Sequence, residues 1–256
     1  MSENLYIGAS RSDQCIRTIG VVLEKLRRLS PWKGERLLDI GCGDGTFTFH
    51  LGEQYAEIFG IDVQEDYVAT FNERAASGSK FRGSIMSASA MEFPADFFDT
   101  IVTIETLEHV ADLAGTAREI HRVLRPGGEL IITVPNRWFP CENHGMAIGS
   151  FEMSRAPLLT YLPWLHRKWG KARVFKVRDL DNLFVPLGLK RAAVDYAWPT
   201  FEHGGNRIQS LLKPLFGTMR WLEHAPMPLR MFGTSVIVKY VKNQPPATTP
   251  SPQDVA

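Results

Sequence analysis

The segment 36–46, Arg-Leu-Leu-Asp-Ile-Gly-Cys-Gly-Asp-Gly-Thr, limits what this chain can fold into more than any other stretch. A short apolar run ends in an acidic residue, glycines follow at alternate positions, and a helix-compatible sequence begins after them. The pattern predicts a buried strand, a tight turn and a helix start. Glycine adopts dihedrals that other residues avoid and has no side chain, so a ligand can approach bare backbone there. The amides of the turn and of the first helical turn then face that ligand with partial positive charge. A dinucleotide fingerprint, G-x-G-x-x-G, would need its third glycine at position 46, which is Thr46; Gly45 comes one place early. That register disfavours a pyrophosphate ligand.

The downstream pattern alternates strand and helix. It predicts strands at 36–40, 57–61, 80–85, 100–104 and 129–134, with helices at 46–55, 65–76 and 113–124. Such alternation builds a parallel sheet wound with helices on both faces. Ligands of these sheets sit at the carboxyl ends of the strands, where Gly41, Asp62 and Ile104 fall. Ahead of this unit, apolar residues at Ile16, Ile19, Val22, Leu23 and Leu26 make a helical stripe over 12–29, ending at Ser30-Pro31. The expected position of this helix is over the cofactor edge. Beyond Asn136 the regular pattern lapses, then resumes with a helix at 177–186, a strand at 189–196 and a final strand at 233–241.

Asp39 just before the glycines resembles the first motif of the class I S-adenosylmethionine-dependent methyltransferases. The resemblance continues in order through Phe59-Gly60-Ile61-Asp62-Val63, Phe93-Pro94, Phe97 to Val102, Leu107-Glu108-His109-Val110 and Glu119 to Gly128. Its nearest branch contains the ubiquinone and menaquinone methyltransferases. The resemblance implies a Rossmann-like α/β fold with a seven-stranded sheet, mostly parallel, whose last strand is antiparallel. Helices would cover both faces, and inserts would follow strands five and six. The implied organisation is an N-terminal helical cap at 1–35, a methyltransferase domain at 36–243 with acceptor-side inserts at 135–177 and 198–232, and a proline-rich disordered tail at 244–256.

The same resemblance implies S-adenosylmethionine as cofactor, held by Asp39, Gly41, Cys42, Gly43, Asp62, Val63, Ser89, Ala90, Met91 and Ile104. Gly41 and Gly43 would admit the methionine portion. Asp62 would accept both ribose hydroxyls through its two oxygens. Asp39 either orients the loop or the cofactor ammonium, or ties down loop amides. Relatives carry an acidic residue about five positions before Pro94 for the adenine amino group; here Ser89 stands there, and Met91 is expected against the ring. Cys42 reads as a small filler rather than a nucleophile.

The acceptor side is built from aromatic and basic sequence. Trp138, Glu142, Tyr161, Trp198 and His203 are the candidate substrate contacts, and His144 is the candidate base for a hydroxyl acceptor; each histidine can instead bond loop backbone. A methyltransferase needs no catalytic triad, since aligning an acceptor with an activated methyl supplies roughly 7–11 kcal/mol. Glu142 and His144 lack further ligands at metal spacing, so no metal is expected.

Charge divides the chain. Residues 1–134 carry 13 Lys plus Arg against 20 Asp plus Glu; residues 135–256 carry 16 against 8. The basic excess concentrates in 167–178, either as a solvated surface or as attraction to an anionic partner. The apolar stripe at 206–223, interleaved with Arg207, Lys213 and Arg220, either covers the domain's own core or joins 161–178 in a lid making weak peripheral membrane contact. The expected partner is a small or lipid-linked acceptor, anionic in the second reading, methylated at oxygen. Nucleic acid is disfavoured, because Ile104-Glu105-Thr106-Leu107 replaces the Asn/Asp-Pro-Pro-aromatic segment of base methylases. Three widely spaced cysteines and the lack of a signal-peptide pattern at 1–17 point to a cytoplasmic setting.

Overall fold

The structure is a computed structural model that describes residues 13–142, 145–148, 151–153, 156–198, 221 and 226–244. Seven strands form one sheet: β1 (Lys33–Ile40), β2 (Gln54–Asp62), β3 (Phe81–Ile85), β4 (Phe98–Ile104), β5 (Leu124–Pro135), β6 (Leu189–Ala197) and β7 (Ser235–Lys242). Their spatial order is β6-β7-β5-β4-β1-β2-β3. Pairing is parallel from β3 through β5. β7 is antiparallel to both of its neighbours, so it alone opposes the rest. The order reverses at β1, which stands between β2 and β4, and this opens a crevice at its carboxyl end.

Alternation along the strands feeds two cores. On one face Leu38, Ile101, Leu130, Ile132, Val236 and Val238 pack with Ile120 and Val123 of α4 (Leu113–Val123) and with Leu180 and Phe184 of α6 (Val177–Phe184). On the other, Leu37, Ile58, Val102, Ile131 and Ile237 pack with Val22, Leu23 and Leu26 of α1 (Asp13–Leu29). One-residue steps such as Leu37 to Leu38 switch faces, as the two-residue period of a strand requires. Burying a leucine such as Leu26, which is 0% exposed, stabilises by roughly 1.5–3 kcal/mol.

Helix α1 therefore lies along the sheet face, with Ile19 in the same cluster as Phe47 and Ile104 at the cofactor edge. Its carboxyl end is clamped at the opposite edge: Lys239 Nζ donates to Leu29 O at 2.9 Å and Ser30 Oγ donates to Glu129 Oε2 at 2.6 Å. Trp32 is buried in the same core, and β1 already begins at Lys33. No structural break falls at residue 35.

The expected helix at 46–55 is the single turn α2 (Thr48–Leu51), which ends at Gly52. Gln54 already pairs with Lys33, so β2 starts three residues earlier than the sequence pattern implied. Helix α3 (Glu65–Arg74) follows β2 and buries Val68 and Phe71. Between β5 and α6 the chain forms two short hairpin pairings, Cys141–Glu142 with Ala156–Pro157 and Met146–Ile148 with Phe151–Met153, then α5 (Pro163–Trp169). Among the described residues no helix is long and apolar enough to cross a membrane. The insert at 198–232 lies outside the described residues except for Trp198, Trp221 and 226–232, and the tail lies outside them from 245 onward.

Candidate cofactor and acceptor site

The glycine turn hangs from the end of β2. The amides of Gly41 and Cys42 both donate to Ile61 O, at 2.8 and 3.1 Å, and Gly43 N–H donates to Asp62 Oδ2 at 3.1 Å. Asp62 Oδ1 accepts the amide of Gln64 at 3.0 Å. One carboxylate thus ties two loops together, and each of its oxygens retains a further lone pair for an incoming hydroxyl.

The two glycines at the heart of the turn have different roles. Gly41 has φ +75° and Gly43 φ +51°, both in the region that favours glycine. A Cβ on Gly41 would lie 2.2 Å from Thr106 Oγ1, whereas a Cβ on Gly43 would meet nothing within 4 Å. Gly41 consequently makes room for the loop after β4, and Gly43 turns its bare side to open space. The sequence reading gave both to the methionine portion of a cofactor; the structure leaves that opening at Gly43.

Asp39 is 2% exposed and accepts the Thr48 hydroxyl at 2.6 Å. Its partner is the first residue of α2, and the loop amides are held by Ile61 O and Asp62 instead. Burial, reinforced by the nearby Asp62 charge and opposed by the Thr48 bond, pushes the Asp39 pKa up to about 7. Cys42 is buried, and its Sγ lies 2.8 Å from where a Cβ on Gly60 would stand. Burial pushes its thiol far up, which suits a filler and not a nucleophile.

Beside these, the carboxyl ends of β3 and β4 complete one continuous rim. Val63 is 68% exposed. Ser89 Oγ lies 3.0 Å from Ser87 Oγ, and Ala90 is exposed. Met91 departs from expectation: it is 5% exposed and packs in the main core, so Ser89 and Ala90 form the surface of that loop. Ile104 is half-buried at the end of β4, and Glu105 follows with φ +49°.

An Arg122–Glu119 clamp fixes this loop, and sequence reasoning had assigned those residues only to a helix. Arg122 donates to Phe93 O and Met91 O, each at 2.7 Å, while Glu119 Oε2 accepts Met91 N–H at 2.8 Å. The Arg122 hydrogen bonds hold the Glu119 carboxyl below its ordinary range. Three-residue spacing on a helix was the only sequence signal of this pair.

On the acceptor side, Asn136 joins the end of β5 to the chain before β7. Its Nδ2 donates to Met231 O and Gly233 O, both at 2.7 Å, and its Oδ1 accepts Trp138 N–H at 3.1 Å. Trp138 and Tyr161 come together, with the Tyr161 hydroxyl donating to Trp138 O at 2.7 Å and Lys176 Nζ 5.0 Å from the indole centre. Trp198 is instead a packing residue, 7% exposed, with Nε1 donating to Arg230 O at 3.3 Å. Glu142 pairs through its backbone with Ala156. His144 and His203 lie outside the described residues. Among the described residues, no group of three or more His, Cys, Asp or Glu is arranged to hold a metal ion.

Residues 38–132 match the model of a methyltransferase domain family. A ubiquinone biosynthesis O-methyltransferase of Sinorhizobium medicae is 29% identical over 164 residues, 63% of this chain and 62% of its own length. The O-methyltransferase cnsE of Penicillium expansum is 32% identical over 179 residues, 67% of this chain and 60% of its own length. The chain thus spans about three fifths of the length of these relatives. A solved S-adenosylmethionine-dependent methyltransferase from Mesorhizobium loti superposes with a TM-score of 0.62 at 21% identity, covering 87% of this chain and 98% of that one. The cyclase SpnF superposes at 0.58 with 20% identity, covering 88% and 81%. At such identities the solved structures speak for the fold alone. The match from Leu38 onward spans the glycine turn and the strand reversal at β1, so residues 38–132 form a methyltransferase domain of the class I S-adenosylmethionine-dependent type, a fold that supports S-adenosylmethionine as cofactor.

Proposed function

We propose that the protein transfers a methyl group to an oxygen atom of a small-molecule acceptor. S-adenosylmethionine supplies the methyl group already activated on a sulfonium centre. The residues present fit that cofactor: open space at Gly43 admits it, and the Asp62 carboxylate has lone pairs to spare for ribose hydroxyls. Ser89 and Ala90, presented by the clamped loop, are assigned to the adenine side. The remaining work of the protein is to align an acceptor and exclude water, which positioning alone can turn into a large rate effect.

The observation that carries the reading is this open, polar turn at the strand reversal, with the Trp138–Tyr161 pair anchored after the neighbouring β5. Two relatives are named as O-methyltransferases, which supports oxygen as the accepting atom. Removal of the acceptor proton is assigned to His144, from its sequence position after β5 and the ability of imidazole to take a proton near neutral pH. The test incubates the full chain with S-adenosylmethionine and a panel of phenols and catechols. Methylated product and S-adenosylhomocysteine are expected in equal amounts. Tight cofactor binding without any methylated product would remove methyl transfer from the account, an outcome that the fold shared with a cyclase makes worth measuring.

A further inference from the structure

The loop after β4 and the segment 163–175 enclose a cleft of about 810 Å³ on the acceptor side. Thr106 packs over Gly41, and the cleft lining begins two residues further along the same loop, with Glu108 to Ala111. Four cationic residues line it: Arg137, Arg167, Lys171 and Arg173. Lys171 is paired, 2.8 Å from Glu152. Among the described residues no carboxylate pairs with the other three.

Arg173 is held in place without being neutralised. Its guanidinium donates to the main-chain carbonyls of Val110 and Ala111, and its own amide donates to Glu108 O at 3.4 Å. A guanidinium fixed by carbonyls keeps its full charge and loses little freedom when an anion arrives. Asp179, one of two carboxylates in the lining, already caps α6 by accepting Lys176 N–H at 2.8 Å. The rest of the wall is mixed: Val110, Pro163, Ala172, Val174 and Phe175 are apolar, while Glu108, His109 and His166 are polar. A cleft of several hundred Å³ whose lining is part apolar and part charged is suited to a small amphiphilic molecule. Like charges gathered there favour an anion over a neutral ligand.

We propose that this cleft binds the anionic group, a carboxylate or a phosphate, of a small acceptor with an apolar body. The assignment of that ligand as the methyl acceptor rests on the proposed function; the anion site itself is tested by binding alone. Arg137, Arg167 and Arg173 supply charge-assisted hydrogen bonds to the group.

The experiment titrates the full chain, with and without S-adenosylmethionine, with 4-hydroxybenzoate, phenyl phosphate and phenol, following heat or tryptophan fluorescence. At least one of the two anions is expected to bind, more weakly at high salt, and its affinity should fall roughly tenfold or more in the Arg137→Gln/Arg167→Gln double variant. Phenol affinity and S-adenosylmethionine affinity should stay within about twofold of the wild type, which also reports that the variant is folded. A preference for phenyl phosphate over 4-hydroxybenzoate, or the reverse, identifies which anion the cleft takes. Dissociation constants weaker than about 10 mM for both anions, or equal anion affinity in wild type and double variant, would overturn the proposal. Loss of the methyl-transfer reading has a different signature, anion and cofactor binding without methylated product.

Discussion

The cofactor rim and the acceptor insert are built by different means. The rim sits on the ends of four adjacent strands, and its turn is fixed by three backbone donors reaching Ile61 O and Asp62. Among the described residues, the insert between β5 and α6 has only two- and three-residue strands, and it depends on single polar anchors such as Asn136 and the Tyr161–Trp138 bond. Their charge differs as well, acidic before residue 135 and basic after it. A sheet edge can fix a constant cofactor with little sequence choice, whereas an insert of short elements can change its lining without disturbing the sheet. Variants in the two regions should therefore separate cofactor affinity from acceptor chemistry.

The largest effect is expected on the acceptor side. His144→Ala should lower kcat by roughly 10²–10⁴-fold if the imidazole is the general base, with S-adenosylmethionine affinity unchanged. The measurement is steady-state turnover with an acceptor from the phenol panel, beside a cofactor titration. A loss below about threefold would return His144 to a loop-holding role, since general-base catalysis contributes far more than that.

Next in size is a pH effect confined to the cofactor rim. The Asp39 carboxyl has a pKa near 7 in the folded chain against an ordinary 3.8. Between those values the folded chain holds a proton that the unfolded chain has released. The stability contribution is full below pH 3.8 and is lost as pH rises toward 7, by about 4 kcal/mol for a shift of this size. Asp39→Asn keeps an acceptor for the Thr48 hydroxyl and removes the ionisation. Denaturant unfolding across pH 4–7 should give the variant a flatter stability profile than the wild type. Parallel profiles would mean that Asp39 ionises normally, and the rim would then be wetter than its burial indicates.

The paired glycines sharpen the contrast within the rim itself. Gly41→Val should destabilise the fold by about 2–4 kcal/mol, from overlap with Thr106 and a disfavoured positive φ. Gly43→Ala meets no neighbour, so its stability cost should stay near the ~1–2 kcal/mol of the backbone conformation. It should nevertheless weaken cofactor binding, because the added carbon enters the open space. Equal cofactor affinity in Gly43→Ala and the wild type would show that the cofactor lies elsewhere along the rim.

The legible parts of the sequence were those where chain-local chemistry decides the structure. The apolar run into Asp39 and the glycines had only one compatible local structure, and alternation of strands and helices implied the sheet. Helix α2 was overextended because 46–55 contains no proline, but Gly52 stops it and pairing with Lys33 captures Gln54. Long-range partners left no local mark. Trp198 looked like an acceptor aromatic by its neighbours in sequence, yet Arg230 O and close packing make it a core residue. Met91 and Arg122 were equally opaque, since the Met91 amide bonds the Glu119 carboxylate and Arg122 bonds Met91 O, partners about thirty positions away. Arg167 and Arg173 read either as a solvated surface or as attraction to an anionic partner, and only the fold placed Arg137 with them around one cleft.

Asp62→Ala tests the division between the regions most directly. Cofactor affinity is expected to fall by ~1.5–3 kcal/mol, the scale of lost charge-assisted hydrogen bonds to ribose hydroxyls. The carboxylate also accepts the amides of Gly43 and Gln64, so part of any loss could come from a displaced turn. Asp62→Asn separates these causes: its carbonyl oxygen can keep one amide bond, but its amide nitrogen cannot accept a second hydroxyl. If ribose contact dominates, both variants lose cofactor affinity to a similar degree while thermal unfolding of Asp62→Asn stays close to the wild type. If the carboxylate only ties loops, Asp62→Asn recovers most of the affinity and Asp62→Ala unfolds at a lower temperature. Binding of 4-hydroxybenzoate or phenyl phosphate should be indifferent to both changes, because the cleft borders the loop after β4 and Asp62 ends β2. A parallel loss of anion and cofactor binding would erase the separation between rim and insert.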